Sequence, residues 1–169
     1  MRWCTLSVAA TLALQAACST TTIKTDHDPA APFLRYRTYA IEDGRLMVQG
    51  VEIEDSLVHD RIVRALNREL AARGLRPEVY APDLIVTFRA GTRTWEEYHS
   101  VWDSGWGDQV WFDQRRGGGL LVDVKDADTG KLVWRGTAVT EDKELRSRKF
   151  IDKTVRKLLA RYPAFEPAG

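Results

Sequence analysis

The fold is decided by a pair of alternating segments, Leu120 to Asp126 (LLVDVKD) and Lys131 to Val139 (KLVWRGTAV), joined by the short loop ADTG at 127–130. Alternating apolar and polar side chains predict β-strands, and a short loop that contains glycine suits a hairpin. Trp134 is in phase with Leu132 and Ala138, so we expect this face of the hairpin to meet helices.

A helix is predicted between Asp55 and Gly74. Asp55 and Ser56 are both good N-caps, Gly74 suits a helix C-terminus, and Pro77 prevents the helix from resuming. Its apolar stripe comprises Val58, Ile62, Leu66 and Leu70, widened by Leu57 and Val63. On its solvent-exposed face we expect two i,i+4 ion pairs, Asp60–Arg64 and Glu69–Arg73.

A second helix is predicted from its N-cap, Ser147, and stops at Pro163. Its apolar stripe comprises Phe150, Ile151, Val155, Leu158, Leu159 and Tyr162.

Further strands are predicted at Tyr36 to Ile41 and at Asp83 to Arg89, and a weaker one at Leu46 to Ile53 after a turn at Glu42-Asp43-Gly44. A mainly antiparallel sheet with two amphipathic helices on one face indicates an α+β fold, a two-layer sandwich.

The N-terminus has the layout of an export signal. Arg2 precedes an apolar run from Cys4 to Ala17 that is shorter than the roughly 20 apolar residues a bilayer span requires. Ala16 and Ala17 provide the small side chains that a lipoprotein signal peptidase needs before Cys18. We therefore expect a signal peptide at 1–17 and acylation of Cys18; cleavage by the ordinary A-x-A peptidase is the alternative.

Lipidation would hold the chain at a membrane, since two or more acyl chains anchor a protein stably. Ser19 follows the cysteine where Asp would signal retention, and this is typical of lipoproteins sorted to the outer membrane on its periplasmic side. We expect a lipidated tether at 18–32 that includes an edge strand near Ile23, one domain at 33–163, and a tail at 164–169.

The composition and charge of the mature chain limit the kinds of partner that it can bind. Cleavage leaves 152 residues, which suits one domain with a single core, and 24 basic residues against 24 acidic ones. A neutral chain disfavours nucleic acid, which requires a basic stripe. Cys4 leaves with the signal and Cys18 is acylated, so the mature domain has no thiol left to form a disulfide.

The chain resembles the bacterial lipoproteins that carry the domain of unknown function DUF4136. The resemblance rests on Asp26-His27-Asp28-Pro29 with Phe33 and Tyr36 to Ala40, on Gly119 to Val124 with Asp126, on Lys131 to Gly136, and on Leu158 to Pro163. It covers nearly all of the mature chain and implies an envelope lipoprotein with an α+β domain. It implies no catalytic residues and no established activity.

A Trp-rich segment, residues 91–119, is predicted to be a long loop or arm. Its aromatic residues are Trp95, Tyr98, Trp102, Trp106 and Trp111, and four of the six tryptophans of the chain fall within 17 positions. Such rings suit a contact surface for an envelope protein, a glycan or the membrane surface, because they combine apolar area with an N–H donor. The alternative is that they fold over the core of the domain itself.

Other motifs favour structural interpretations. Asp126 to Gly130 lacks the further ligands and the final Glu of an EF-hand loop, and the histidines at 27, 59 and 99 lack metal-ligand spacing. Gly117-Gly118-Gly119 lacks the Lys-Ser/Thr of a phosphate loop, and no nucleophile elbow occurs. We therefore predict no cofactor, no metal and no enzymatic activity.

The preferred hypothesis is a non-enzymatic interaction module in envelope maintenance. A carrier or sensor of a small or lipidic ligand, held between sheet and helices, is the alternative. A cell-wall hydrolase is a third hypothesis.

Overall fold

The structure is a computed structural model, and it describes residues 21–48, 50–94, 116–140 and 147–163. The described residues form seven strands and two helices. The strands are β1 (Thr21–His27), β2 (Thr38–Val48), β3 (Val51–Ile53), β4 (Arg76–Pro77), β5 (Leu84–Thr94), β6 (Arg116–Asp126) and β7 (Leu132–Thr140). The helices are α1 (Ser56–Ala71) and α2 (Arg148–Leu159).

All seven strands belong to one sheet with the order β1-β7-β6-β5-β2-β3, and β4 adds two residues beside the start of β2. Neighbouring strands are antiparallel, except that β2 runs parallel to β5 and β4. Parallel neighbours need a long crossover, and here α1 provides it. The predicted mainly antiparallel α+β sandwich is confirmed.

The β6–β7 hairpin forms as predicted. Asp126 N–H donates to the carbonyl of Lys131 at 2.9 Å, and Gly130 closes the loop with φ of 68°. A positive φ is easy for glycine because it has no Cβ. Trp134 is fully buried on the helix side of the sheet, where Leu158 of α2 lies close to it.

Both helices cover the same face of the sheet. Of the two N-caps predicted for α1, Asp55 is the one observed, and the predicted cap of α2, Ser147, is confirmed. Asp55 accepts from the N–H of Val58 at 3.1 Å, and Ser147 accepts from that of Phe150 at 3.1 Å. Each cap satisfies a backbone donor that the first helical turn leaves free. The core between the layers includes Val58, Ile62, Leu66, Leu70, Leu84, Val86, Phe88, Val122, Val124, Val155, Leu158 and Leu159.

Two details of the α1 prediction were wrong. Leu57 does not widen the buried stripe, because its side chain is 65% exposed. The Glu69–Arg73 pair forms at 3.6 Å, but both side chains are largely buried rather than solvated. They are buried because α2 packs alongside α1, where Arg68 contacts Asp152 at 3.3 Å.

The predicted turn at 42–44 was also wrong. β2 continues through these residues, and its register against β5 shifts between Ile41 and Gly44, which marks a bulge. A Cβ on Gly44 would overlap the ring of Phe88 and lie 2.7 Å from Nε2 of His59. Gly44 is therefore needed for close packing beneath α1, not for chain reversal.

Strand β1 occupies seven residues that were assigned to the tether. The expected edge strand near Ile23 is present, and it pairs with β7 from Thr21↔Thr140 to His27↔Trp134. Within the described residues, the sheet therefore begins at Thr21. Likewise, β5 and β6 extend four residues each into the segment predicted as a loop, with Thr94 paired to Arg116.

Candidate functional site

The residues predicted to carry function lie outside the described part of the chain. Cys18 precedes it, and Trp95, Tyr98, Trp102, Trp106 and Trp111 fall between its second and third ranges. Their flanks are described: Thr21 begins β1, Thr94 ends β5 and Arg116 begins β6. The sheet thus fixes where both predicted functional segments join the domain.

The candidate site within the described residues is a pocket of about 150 Å³ at the end of the sheet where both helices finish. Its walls are formed by Phe33, Tyr36, Arg37, Arg73, Gly74, Leu75, Tyr162 and Pro163. The segment before β2 supplies the first three, the residues after α1 the next three, and the residues after α2 the last two. The pocket is therefore assembled from three connections.

Aromatic rings meet edge to face around this pocket. Phe33 lies 5.6 Å from Tyr162, 6.0 Å from Tyr36 and 5.9 Å from His27, measured between ring centroids. Tyr162 in turn lies 5.6 Å from Trp134. T-shaped contacts of this kind stabilise by roughly 0.5–1.5 kcal/mol each beyond burial. The rings connect the segment before β2 to the core.

Tyr36 and Asp126 form the main polar contact beside the pocket. The Tyr36 hydroxyl donates to Oδ2 of Asp126 at 2.8 Å, while Thr129 donates its N–H and hydroxyl to Oδ1, each at 2.8 Å. Burial raises the pKa of Asp126, but the hydrogen bonds outweigh it and leave that pKa below its usual range. Burial, and then the bond to Asp126, raise the pKa of Tyr36.

A second carboxylate holds the start of β2. Oδ2 of Asp83 accepts from the backbone N–H of Arg37 at 2.7 Å, and from the N–H and hydroxyl of Thr38 at 2.9 and 3.0 Å. Burial raises the pKa of Asp83, but these bonds outweigh it and lower the pKa overall. Asp83 therefore acts as a structural acceptor between β2 and β5.

Arg73 ties the two helix ends together. Its Nε donates to the carbonyl of Leu159 at 2.6 Å, and its Nη1 donates to the carbonyl of Glu69 at 2.6 Å. These carbonyls belong to the last turns of α2 and α1, where partial negative charge accumulates. Arg37 is engaged in a similar way, since its Nη1 donates to the carbonyls of Leu34 and Tyr36 at 2.7 and 3.0 Å.

One pocket residue keeps an unused polar atom. The Tyr162 hydroxyl is buried and has no hydrogen-bond partner among the described residues. Its pKa is raised, first by burial and then by the proximity of Tyr36. A phenol in this environment stays neutral and is a poor nucleophile. Most other polar groups around the pocket are already engaged in hydrogen bonds that hold the fold together.

The described part of the chain brings no catalytic or metal-ligating constellation together. No group of three or more His, Cys, Asp or Glu side chains that could hold a metal is present among these residues. His27 packs on Phe33 at the end of β1, whereas His59 lies in α1 beside Phe88. Asp126 to Gly130 forms a hairpin turn, as predicted, and in it the Asp126 side chain accepts from the N–H of Thr129.

Sequence reasoning missed the pairing of Tyr36 with Asp126 and the role of Phe33. The only sequence signal for the Tyr36–Asp126 contact was that both residues lie at strand ends, Tyr36 just before β2 and Asp126 at the end of β6. The residues are 90 positions apart, so their contact depends on the strand order.

The chain is similar in sequence to one protein family and in fold to several solved structures. The family model described as "Domain of unknown function (DUF4136)" matches residues 23–164. A DUF4136 family protein from Bacteroides thetaiotaomicron has 16% identity and a TM-score of 0.60, covering 85% of this chain and 96% of its own. A single-residue variant of PelC from Paraburkholderia phytofirmans, solved as a dodecamer, has 15% identity and a TM-score of 0.51, covering 83% of this chain and 95% of its own.

A PDZ domain protein from Parabacteroides distasonis has 14% identity and a TM-score of 0.58, and the match covers 88% of this chain but 37% of that one. At these identities the likeness shows the fold alone. No curated protein matches the chain. None of the helices in the described ranges has the length and apolar character to cross a membrane.

Proposed function

This chain belongs to the DUF4136 family, and on that premise we propose that it is a periplasmic lipoprotein, anchored to the outer membrane by acylated Cys18, that binds an envelope component without catalysing a reaction. The contact residues are the aromatic ones of the Trp-rich segment.

A single observation carries the proposal: the strand ends that flank both functional segments lie at the same end of the sheet. Thr21, three residues after Cys18, pairs with Thr140, and Thr140 pairs with Gly118. Gly118 lies two residues inside the start of β6 at Arg116, where the Trp-rich segment re-enters the sheet. An anchor and a row of aromatic residues that join one end of a domain suit contact at a membrane surface.

The chemistry of the described pocket supports binding rather than catalysis. Asp83 and Asp126 accept several hydrogen bonds, and Arg73 donates to carbonyl groups at both helix ends. Groups committed in this way rigidify a fold and have little capacity left to move protons.

The carrier hypothesis receives less support. Pockets for small molecules usually enclose about 300–1,000 Å³, whereas the pocket between the helix ends and the segment before β2 encloses about 150 Å³. The hydrolase hypothesis would need converging acid and base groups, and His27 and His59 lie in separate elements.

The anchor is tested by replacing Cys18 with Ala in cells fed an alkyne fatty acid. We expect labelling of the native protein and none of Cys18→Ala, which should accumulate as precursor. Cys18→Ser is the matched control, because it keeps size and polarity but cannot form the thioether. Equal labelling of the native protein and both variants would contradict the assignment.

The contact is tested by photo-crosslinking in intact cells. A photoreactive amino acid at position 102 should give a discrete adduct that mass spectrometry can identify. The matched control is the same amino acid at Tyr80, a 96% exposed side chain at the opposite end of the sheet. The same adducts from both positions, or none from position 102, would contradict the proposal.

A further inference from the structure

We infer that one end of the sheet docks on lipid headgroups, and this inference rests on the proposed acylation of Cys18. The surface, here named the anchor end, is marked by one row of paired residues across six strands. The row runs Thr21↔Thr140↔Gly118↔Thr92↔Val48↔Val51.

The tether decides which end faces the bilayer. Because β1 begins at Thr21, only three residue steps separate Cys18 from the sheet, and at about 3.3 Å per residue they reach about 10 Å. The opposite end of β6, Asp126, is eight residues from Gly118, which corresponds to about 27 Å at ~3.4 Å per residue. A tether this short keeps the anchor end near the headgroups.

Both helices also begin towards the anchor end. α1 runs antiparallel to β2, since Asn67 accepts from the hydroxyl of Tyr39 at 2.7 Å while His59 lies over Gly44. α2 runs parallel to α1, because contacts advance along both helices together: Arg68 contacts Asp152, and Arg73, just after α1, contacts Leu159 at the end of α2. The positive ends of both helix dipoles therefore point towards the anchor end.

Exposed side chains near this end suit a headgroup region. Val51 is 64% exposed at the end of the row, and Leu57 is 65% exposed in the first turn of α1. Arg148 and Lys149 are exposed in the first turn of α2, which contains no acidic residue. Glu52 and Glu54, close to Val51 in the chain, are exposed as well, so this end carries both signs of charge. Exposed apolar side chains with charged ones around them suit contact with lipid headgroups rather than insertion into the acyl core.

The opposite end also exposes apolar side chains, so exposure alone does not choose between the two ends. Val79 and Tyr80, in the loop before β5, are 80% and 96% exposed. Glu78, next to Val79, donates its N–H to the carbonyl of Tyr39, which pairs with Leu84 opposite Asp126, so the loop lies at the Asp126 end. A tether of about 10 Å does not bring this end to the bilayer while the domain stands on its anchor end. We assign Val79 and Tyr80 to the side that faces the periplasm.

The experiment uses the purified, acylated full-length product with one introduced cysteine per variant. Acylation blocks Cys18 and Cys4 leaves with the signal, so a thiol-reactive fluorophore labels only Val51→Cys, Tyr80→Cys or Asp128→Cys. All three positions are exposed. Each labelled protein is reconstituted in vesicles of phosphatidylethanolamine and phosphatidylglycerol, with and without lipids that carry a nitroxide on the headgroup.

We expect strong nitroxide quenching and a blue-shifted emission at position 51, with neither effect at positions 80 and 128. If the protein floats with the vesicles, the anchor is intact. Quenching at 80 or 128 that equals or exceeds that at 51, or no quenching at 51, then overturns the docking surface alone. A product that does not float, with an unmodified Cys18 by mass spectrometry, overturns the anchor and this surface together.

Discussion

Arg135 and Asp123 form a two-pronged ion pair across β6 and β7 on the sheet face that the helices do not cover. Nε of Arg135 lies 2.6 Å from Oδ1 of Asp123, and Nη2 lies 2.8 Å from Oδ2. The two residues are direct partners in the strand register, and their side chains are only 14% and 7% exposed. A fork-to-fork geometry of this kind is the strongest form of carboxylate–guanidinium contact.

Removing one charge from this pair should cost much stability. We expect Asp123→Ala to lower the free energy of unfolding by about 3 kcal/mol, because the largely buried Arg135 guanidinium loses the carboxylate that accepts two of its hydrogen bonds. Replacing both residues with Leu should recover most of the loss, because no charge then remains at the position. Urea unfolding of the domain expressed from residue 19 onwards compares the native chain, the single variant and the double variant.

Arg148→Ala is the matched control for that series. Arg148 lies 3.8 Å from Asp152, but its side chain is 80% exposed, so its loss should change stability by less than about 0.5 kcal/mol. Similar losses for Asp123→Ala and Arg148→Ala would show that burial does not strengthen the Asp123–Arg135 pair.

Gly136 should not tolerate a methyl group. A Cβ there would collide with the Trp134 ring and lie 2.6 Å from Cδ2 of Leu158, so Gly136→Ala should lose about 2 kcal/mol by overpacking. Gly74→Asn is the control, because Gly74 has open space around it and Asn adopts its positive φ readily. A thermal midpoint for Gly136→Ala as high as that of the control would contradict close packing of α2 on β7.

Two tyrosines should respond oppositely to loss of the hydroxyl. Tyr36→Phe removes a bond to the Asp126 carboxylate and should cost about 1.5 kcal/mol. Tyr162→Phe removes a buried hydroxyl that has no partner among the described residues, so stability should stay constant or rise by up to about 1 kcal/mol. A loss for Tyr162→Phe as large as that for Tyr36→Phe would mean that the Tyr162 hydroxyl is bonded.

The domain should lose stability in acid. The pKa values of Asp83 and Asp126 are lowered in the folded state, so the unfolded chain binds protons first as pH falls. Their contribution is therefore complete above the unfolded pKa of about 4 and declines as pH falls through the folded values. Denaturant titrations between pH 7 and 2 measure this decline, and Asp83→Asn should make it shallower. An unchanged slope in that variant would contradict the role of Asp83.

A separate experiment tests whether the aromatic residues of the Trp-rich segment form a contact surface or pack on the core of the domain. If Trp102 and Trp106 form a contact surface, replacing both with Ala should leave the thermal midpoint of the domain nearly unchanged while the crosslinked adduct is lost. Trp134→Ala is the control, because that ring is fully buried and its removal should cost about 3–5 kcal/mol. A fall of many degrees for the double variant would favour the core interpretation.

Predictions from the sequence succeeded where the signal was local. The caps Asp55 and Ser147 depend on residues within one turn, and so do the buried stripes of both helices, in which only Leu57 was misplaced. The β6–β7 hairpin depends on alternation around a short loop. They failed where a distant element decided the outcome. Gly44 has the local signature of a turn, but pairing with β5 and packing under α1 keep β2 continuous.

The sequence by itself determined the helices, most strands, the family and the expected acylation of Cys18, because those depend on periodicity, capping and short motifs. Only the tertiary structure decided which residues meet. It brought Tyr36 to Asp126 and placed Thr21 at the same end as the strand ends of the Trp-rich segment. The physical reason is that strand order is set by burying a shared apolar face, and this depends on pairings far apart in the chain.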